Sequence, residues 1–221
     1  MIKQNPPRID GVLRKKSVRV PESIWKCSGI VVFGRRIKSL AFTTDLAIIR
    51  NINADAILAV YPFTPQPVIN HALLVAAERP VFTGIGGGMT TGKRIVQLAT
   101  YSEMQGALGV VVNAPTSPDI IEEISDNIDI PLIVTVVKWK ESVHDQIAAG
   151  ATILNVAAAQ DTPNLVRKIR EHYPDIPIIA SGGNTNESIE ETIRAGANAI
   201  SWTPPATKEI FKTVMHTYRE A

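Results

Sequence analysis

The chain reads as an α/β protein, a single (βα)8 TIM barrel with an N-terminal β-hairpin extension, and three observations predict it. From Ser39 onward, eight apolar, β-rich runs alternate with amphipathic stretches. Most of these runs are continuously apolar, which suits parallel strands buried on both faces. Near the end, Ile178-Ile179-Ala180-Ser181-Gly182-Gly183, a Glu-bearing helical stretch and Ala195-Gly196-Ala197-Asn198-Ala199-Ile200-Ser201 follow one another. That order reads as the seventh barrel strand, a glycine-rich turn, a helix and the eighth strand. An open doubly wound sheet is the competing architecture, but eight units without an antiparallel edge strand favour closure.

Residues 1–38 do not fit the repeat and form the extension; residues 39–221 form the barrel. Gly29-Ile30-Val31-Val32-Phe33, a Gly34-Arg35-Arg36 turn and Ile37 predict a hairpin that plugs the N-terminal mouth. The barrel strands are expected in the runs 39–44, 56–63, 80–84, 107–113, 131–137, 152–157, 177–181 and 199–203. The first helix is short, Leu46–Asn51. A second occupies 67–78, where Val68, His71, Leu74 and Val75 share a face. Another occupies 164–173, with Leu165, Ile169 and Tyr173 inward and Arg167, Lys168 and Arg170 outward. Gly106, Gly150 and Gly196 stand where a helix must turn into the next strand.

A net charge of +2 is too small to make nucleic acid or an anionic membrane the main partner. The basic stretches Arg14-Lys15-Lys16 with Arg19, and Arg35-Arg36 with Lys38, lack interleaved aromatics and read as solvated surface. Cys27 is the single cysteine, so no intrachain disulfide or thiolate metal site can form, and a reducing cytoplasm is the expected location. No apolar run approaches a bilayer span, and residues 1–19 lack the apolar core of a signal peptide. The four histidines fall in helical stretches without ligand spacing, so neither a metal nor a cofactor is expected. A homodimer is compatible with the sequence, although no exposed apolar stripe marks its interface.

Active groups on this architecture lie at the C-terminal ends of the strands and in the loops beyond them. Asp45, after the first strand beside Thr44, is the candidate acid–base residue; its other reading is the N-cap of the first helix. Lys138, after the fifth strand, is the second catalytic candidate, a base or Schiff-base nucleophile if apolar strand ends strip its proton, or else part of a surface loop beside Trp139 and Lys140. Tyr61, Gly86, Gly87, Lys93, Asn113, Thr135 and Asn155, with Thr44, are expected to contact substrate. Gly87 to Arg94 nearly matches a nucleotide phosphate loop but carries Arg94 where the magnesium-binding hydroxyl belongs, so a glycine-rich wall over the substrate is the reading adopted. Ser181, Gly182, Gly183, Asn184 and Thr203 are expected to hold a phosphate on backbone N–H groups at a helix N-terminus. The plain alternative for that turn is Asn184 as N-cap with Glu187 closing a capping box.

On the segment 178–183, Glu187 and 195–200, the last third of the chain resembles the ribulose-phosphate-binding, aldolase-type group of TIM barrels. That group includes acylmannosamine-phosphate epimerases, thiamin phosphate synthases, phosphoribosylanthranilate isomerases and keto-acid aldolases. The resemblance implies a phosphate held by backbone groups around Gly182, Gly183 and the 202–203 turn. Asn155 stands in the region where the keto-acid aldolases carry a lysine. The whole chain also resembles uncharacterised bacterial barrels sometimes labelled hydrolases. The function expected is therefore an enzyme acting on a small phosphorylated metabolite by proton transfer, as an isomerase, epimerase or lyase. A hydrolase with Asp45 activating water and a non-catalytic sensor of a phosphorylated ligand are the alternatives.

Overall fold

The computed structural model describes residues 7, 9 and 18–220, so residues 14–16 of the first basic run lie outside the described part. The hairpin is β1 (Ile30–Val32) and β2 (Arg35–Ile37), paired antiparallel around Phe33 and Gly34. The barrel strands are β3 (Ser39–Phe42), β4 (Ala56–Ala59), β5 (Val81–Gly86), β6 (Gly109–Val112), β7 (Leu132–Val136), β8 (Ile153–Val156), β9 (Ile178–Ser181) and β10 (Ala199–Trp202). All pair in parallel in the closed order β10–β3–β4–β5–β6–β7–β8–β9. The helices between and after them are α1 (Leu46–Asn51), α2 (Pro67–Ala76), α3 (Lys93–Met104), α4 (Pro118–Ser125), α5 (Ser142–Ala148), α6 (Thr162–His172), α7 (Asn186–Arg194) and α8 (Thr207–Glu220). The fold is the (βα)8 barrel that the apolar runs predict. Several strands stop short of their predicted C-terminal ends, because residues such as Thr43, Asn113 and Thr203 lie past the last ladder pair and form the loops of the mouth.

Two apolar cores explain why the strands read as unbroken hydrophobic runs. Along β7, Leu132, Val134 and Val136 pack outward with the helices, while Ile133 points into the barrel. The inner core joins Leu40, Leu58, Phe82, Val111, Ile133, Ile153 and Ile179 to Ile30, Val32 and Ile37 of the hairpin. The hairpin thus seals the N-terminal end with its three inward side chains, while Val31 and Arg36 stay exposed. The helix–strand core takes Ile48, Ile95, Ile121, Val143, Val166 and Ile189 from successive helices. The helix-end glycines Gly106, Gly150 and Gly196 all have positive φ, as the turns require.

Two helix faces differ from the sequence reading. In α2 the buried residues are Asn70 and Leu73, whereas Val68 and Val75 are 69% and 71% exposed and His71 is exposed. Asn70 is accommodated because it accepts from the Tyr61 hydroxyl (3.3 Å) and donates to Gly84 O (3.4 Å). In α6, Leu165 and Ile169 are buried as expected, but Arg170 is half-buried beneath the helix end instead of pointing outward. No helix of the described residues is long and apolar enough to cross a membrane.

Candidate functional site in the barrel mouth

A cavity of about 340 Å³ opens at the C-terminal end of the barrel. Its floor is apolar, with Leu58 and Val111, and Phe42 and Val60 stand at its side. The polar lining consists of Asn113, Thr135, Asn155, Ser181, Asn184, Ser201 and Thr203. None of the described lining residues is ionisable. The alternation of the strands places these groups: Ile133 and Thr135, Ile153 and Asn155, Ile179 and Ser181 each lie two residues apart, so each polar side chain rises one layer above an inner-core residue.

Within the mouth, the buried unmet polar demand is on Asn155. It is 8% exposed, its Nδ2 donates to Thr135 Oγ1 at 3.2 Å, and its Oδ1 has no hydrogen-bond partner. An acceptor left so in a buried site costs on the order of 1–3 kcal/mol unless something binds there. The second unmet demand is on the rim. The amides of Gly183 and Asn184 make no hydrogen bond among the described residues, and both residues line the cavity. Gly183 has φ +76°, which turns the chain from β9 toward α7.

The α7 N-terminus is built differently from the capping box expected of Asn184 and Glu187. Thr185 is the N-cap; its Oγ1 accepts from Ser188 N (3.2 Å), and Ser188 Oγ accepts in return from Thr185 N (3.3 Å). Ser188 Oγ also donates to Gly182 O at 2.9 Å. The box therefore closes one position further along the chain, and Asn184 is left on the rim as an exposed side chain. Gly182 is buried against Ile200 and Ile189 and supplies packing, while the neighbouring Ser181 and Gly183 face the cavity.

Asp45 and Lys138 are not brought together, and neither lines the mouth. Asp45 caps α1, with Oδ1 accepting from Ala47 N (2.8 Å) and Ile48 N (3.2 Å), and Oδ2 accepts from the Thr207 hydroxyl. The Thr207 hydrogen bond holds its carboxyl below the usual carboxylate range; burial, the next largest effect, opposes it, and the Ile48 and Ala47 amides add to the lowering. Thr44 precedes it in the same turn and is half-buried. Lys138 is exposed on the outer side of the barrel wall.

The third barrel loop packs against the fourth. Gly87 has φ +107°, and a Cβ there would lie 2.4 Å from Asn113 O and 2.7 Å from Thr116 Oγ1. Asn113 N donates to Gly86 O (2.7 Å) and Gly88 N to Pro115 O (2.9 Å). Gly86 and Gly87, with Tyr61 and Asn113, surround a smaller cavity of about 160 Å³ beside the mouth. Tyr61 accepts from Gln66 N at 2.8 Å. Lys93 is exposed in the first turn of α3, away from both cavities. Asn113 is shared by the two cavities and Thr135 by the mouth and a cleft outside β7, whereas Thr44 and Lys93 line none of these three spaces. Sequence reasoning missed Phe42, Leu58, Val60, Val111, Ala157 and Ser201 in the mouth; even spacing from inner-core neighbours is the signal that would have found Phe42, Val60, Ala157 and Ser201.

No protein-family model and no curated protein matches the sequence. Solved structures match the fold. A candidate phosphonomutase from Burkholderia cenocepacia J2315 superposes with a TM-score of 0.65 at 16% identity, over 82% of this chain and 92% of that one. A mandelate oxidase gives 0.64 at 13% identity, over 89% and 71%. A phosphonopyruvate hydrolase, solved in complex with oxalate and Mg++, gives 0.62 at 12% identity, over 86% and 82%. These neighbours are barrel enzymes of mutase, oxidase and hydrolase type, so the shared scaffold leaves the reaction open.

Proposed function

We propose that this chain is an aldolase-type barrel enzyme that binds a small phosphorylated, hydroxyl-bearing metabolite in its mouth and acts on it by proton transfer, as an isomerase, epimerase or lyase. The observation that carries the reading is the buried, unpartnered Oδ1 of Asn155. A ligand hydroxyl can donate to it, and it stands among Thr135, Ser181 and Ser201, which offer further hydroxyl contacts. The unbonded amides of Gly183 and Asn184, in the turn just before the Thr185 N-cap of α7, offer donors for an anion beside a helix N-terminus. A neutral polar cavity with one set of free amides at its rim suits a sugar-like body with a single phosphate. The ribulose-phosphate-type barrels that residues 178–200 resemble fit this ligand class. Asp45 remains the proposed acid–base residue and Lys93 a proposed anion contact, while Lys138, exposed on the outer side of the wall, is assigned no part in the chemistry of the mouth.

One observation favours a second reading, a non-catalytic sensor of the same ligand class: no described side chain lining the mouth can exchange a proton at neutral pH. Thermal-shift titration with inorganic phosphate and a panel of aldose and ketose phosphates tests binding, since a ligand at 100 times its Kd stabilises by about 2.7 kcal/mol. Asn184→Asp places a negative charge at the proposed phosphate rim and is expected to weaken binding by roughly tenfold or more. Incubating a bound compound with the protein in D2O separates enzyme from sensor. An enzyme of this class exchanges a carbon-bound hydrogen or releases product, and a sensor returns the compound unchanged.

A further inference from the structure

We infer that the cleft on the outer side of β7 is a second ligand site, separate from the mouth, that takes a small amphipathic carboxylate. The cleft encloses about 600 Å³ between the loop after β6 and the loop after β7, within the ~300–1,000 Å³ range of small-molecule sites. Its walls are mostly aliphatic, with Ile95, Pro115, Ile120, Val136, Val137 and Val143 among them. The ligand must therefore present an apolar body.

Its charged groups are two and of one sign, and hydroxyl residues such as Thr90, Thr91, Ser117 and Ser142 share the lining. Lys138 and Lys140 both line the cleft, and neither ammonium makes an ion pair or hydrogen bond among the described residues. The exposed acids on the adjoining segments, Asp119, Glu141 and Asp145, do not line it. Lysine stems can cover the apolar wall while their heads converge on one anionic group at the opening. Deeper in, Gln146 is 8% exposed; its Nε2 donates to Thr116 O at 2.9 Å, while its Oε1 carries no hydrogen bond among the described residues. An aliphatic or aryl chain ending in a carboxylate meets both the walls and the lysines. A sugar phosphate leaves the aliphatic walls unmatched, and the two lysines distinguish this site from the mouth, whose described lining carries no charge.

Isothermal titration with decanoate, decanol and butyrate tests the assignment on the whole chain. Decanoate is expected to bind saturably with a Kd of about 1 mM or tighter, and butyrate, lacking the apolar body, at least roughly tenfold more weakly. The exposed pair Lys138→Glu and Lys140→Glu is expected to weaken decanoate about tenfold or more while changing decanol less than about twofold. Val137→Asp, at a 47% exposed wall position, is expected to abolish decanoate binding while leaving the melting temperature within a few degrees. Absence of saturable decanoate binding to the wild-type chain, or binding that survives both the charge reversal and Val137→Asp, would overturn the proposal.

Discussion

Asn155 and Thr135 stand in register on neighbouring strands, and the Asn155 amide donates to the Thr135 hydroxyl at 3.2 Å while its own Oδ1 receives nothing. The pair spends one of its polar groups on holding the other in place. What remains is an oriented acceptor at the base of a neutral cavity. An oriented, unsatisfied group is a cost in the free protein that a ligand can cancel.

Replacing Asn155 by Leu should therefore act oppositely on stability and binding. The free protein is expected to gain about 1 kcal/mol, because an orphaned acceptor is exchanged for an apolar side chain of similar size. Affinity for a hydroxyl-bearing phosphate is expected to fall about tenfold, while inorganic phosphate at the rim changes little. Urea denaturation of the free variant checks the first half. A loss of more than about 1 kcal/mol would mean that the amide has an internal role the hydrogen-bond pattern does not account for.

Asp45 has a stability role that can be measured with no knowledge of the substrate. As N-cap of α1 and acceptor from Thr207, its carboxylate is better satisfied folded than unfolded. Asp45→Ala is expected to cost roughly 1–2 kcal/mol at neutral pH. The folded pKa lies below the unfolded value, so this contribution is present above the ordinary carboxylate pKa and fades as pH falls through the folded pKa. Wild type and Asp45→Asn should therefore differ at pH 6 and converge toward pH 3 in chemical denaturation. A gap that widens on acidification would reverse the sign of the argument. Thr207→Val removes the largest cause of the lowered pKa and should move the acid midpoint upward.

The barrel was legible in the sequence because strands buried on both faces must be apolar at every position, and eight such units without an antiparallel edge strand favour closure over an open doubly wound sheet. The turn at Ser181 to Asn184 was legible for a related reason: its glycines have to be there for packing and for positive φ. Asp45 was legible as a residue at a strand end, but capping and catalysis ask for the same side chain at the same place, so the sequence could not choose between them. The α2 face was misread because Asn70 is buried through partners on other segments, Tyr61 and Gly84, which no helical periodicity reveals. The outer cleft depends on how two loops lean together, and Lys138 therefore read as belonging to the mouth.

Arg170 shows the same limit from the other side. Its guanidinium donates to Gly196 O (2.9 Å), Tyr173 O (3.4 Å), Pro174 O (2.9 Å), Ile176 O (2.6 Å) and Asn198 Oδ1 (2.5 Å), tying the end of α6 to the chain entering β9 and β10. Burial pushes its pKa below the ordinary guanidinium value, partly offset by nearby Asp175. Arg170→Lys keeps the charge but replaces a planar fork by a point donor that cannot serve all five acceptors. The expected loss is roughly 2–3 kcal/mol in denaturant unfolding, with ligand affinity in the mouth unchanged because the network lies at the opposite end of the strands. A Lys variant as stable as wild type would show that water replaces the fork at little cost.

Gly182 is the position where the proposed phosphate turn and the core meet. A Cβ added there would lie 2.6 Å from Ile200 Cγ2 and 3.0 Å from Ile189 Cγ1, and both isoleucines are fully buried. Neither neighbour can swing into solvent, so Gly182→Ala must push β9 away from β10 or α7 away from the sheet. The expected cost is about 1–3 kcal/mol by overpacking. Steric conflict, as opposed to backbone strain, predicts a particular coupling: Ile200→Ala should cost less in the Gly182→Ala background than in the wild type, by about 1 kcal/mol or more in a double-mutant cycle. Additive losses would instead place the cost in the turn itself. In that case the Ser188 hydroxyl, which holds Gly182 O at 2.9 Å, becomes the contact to remove next.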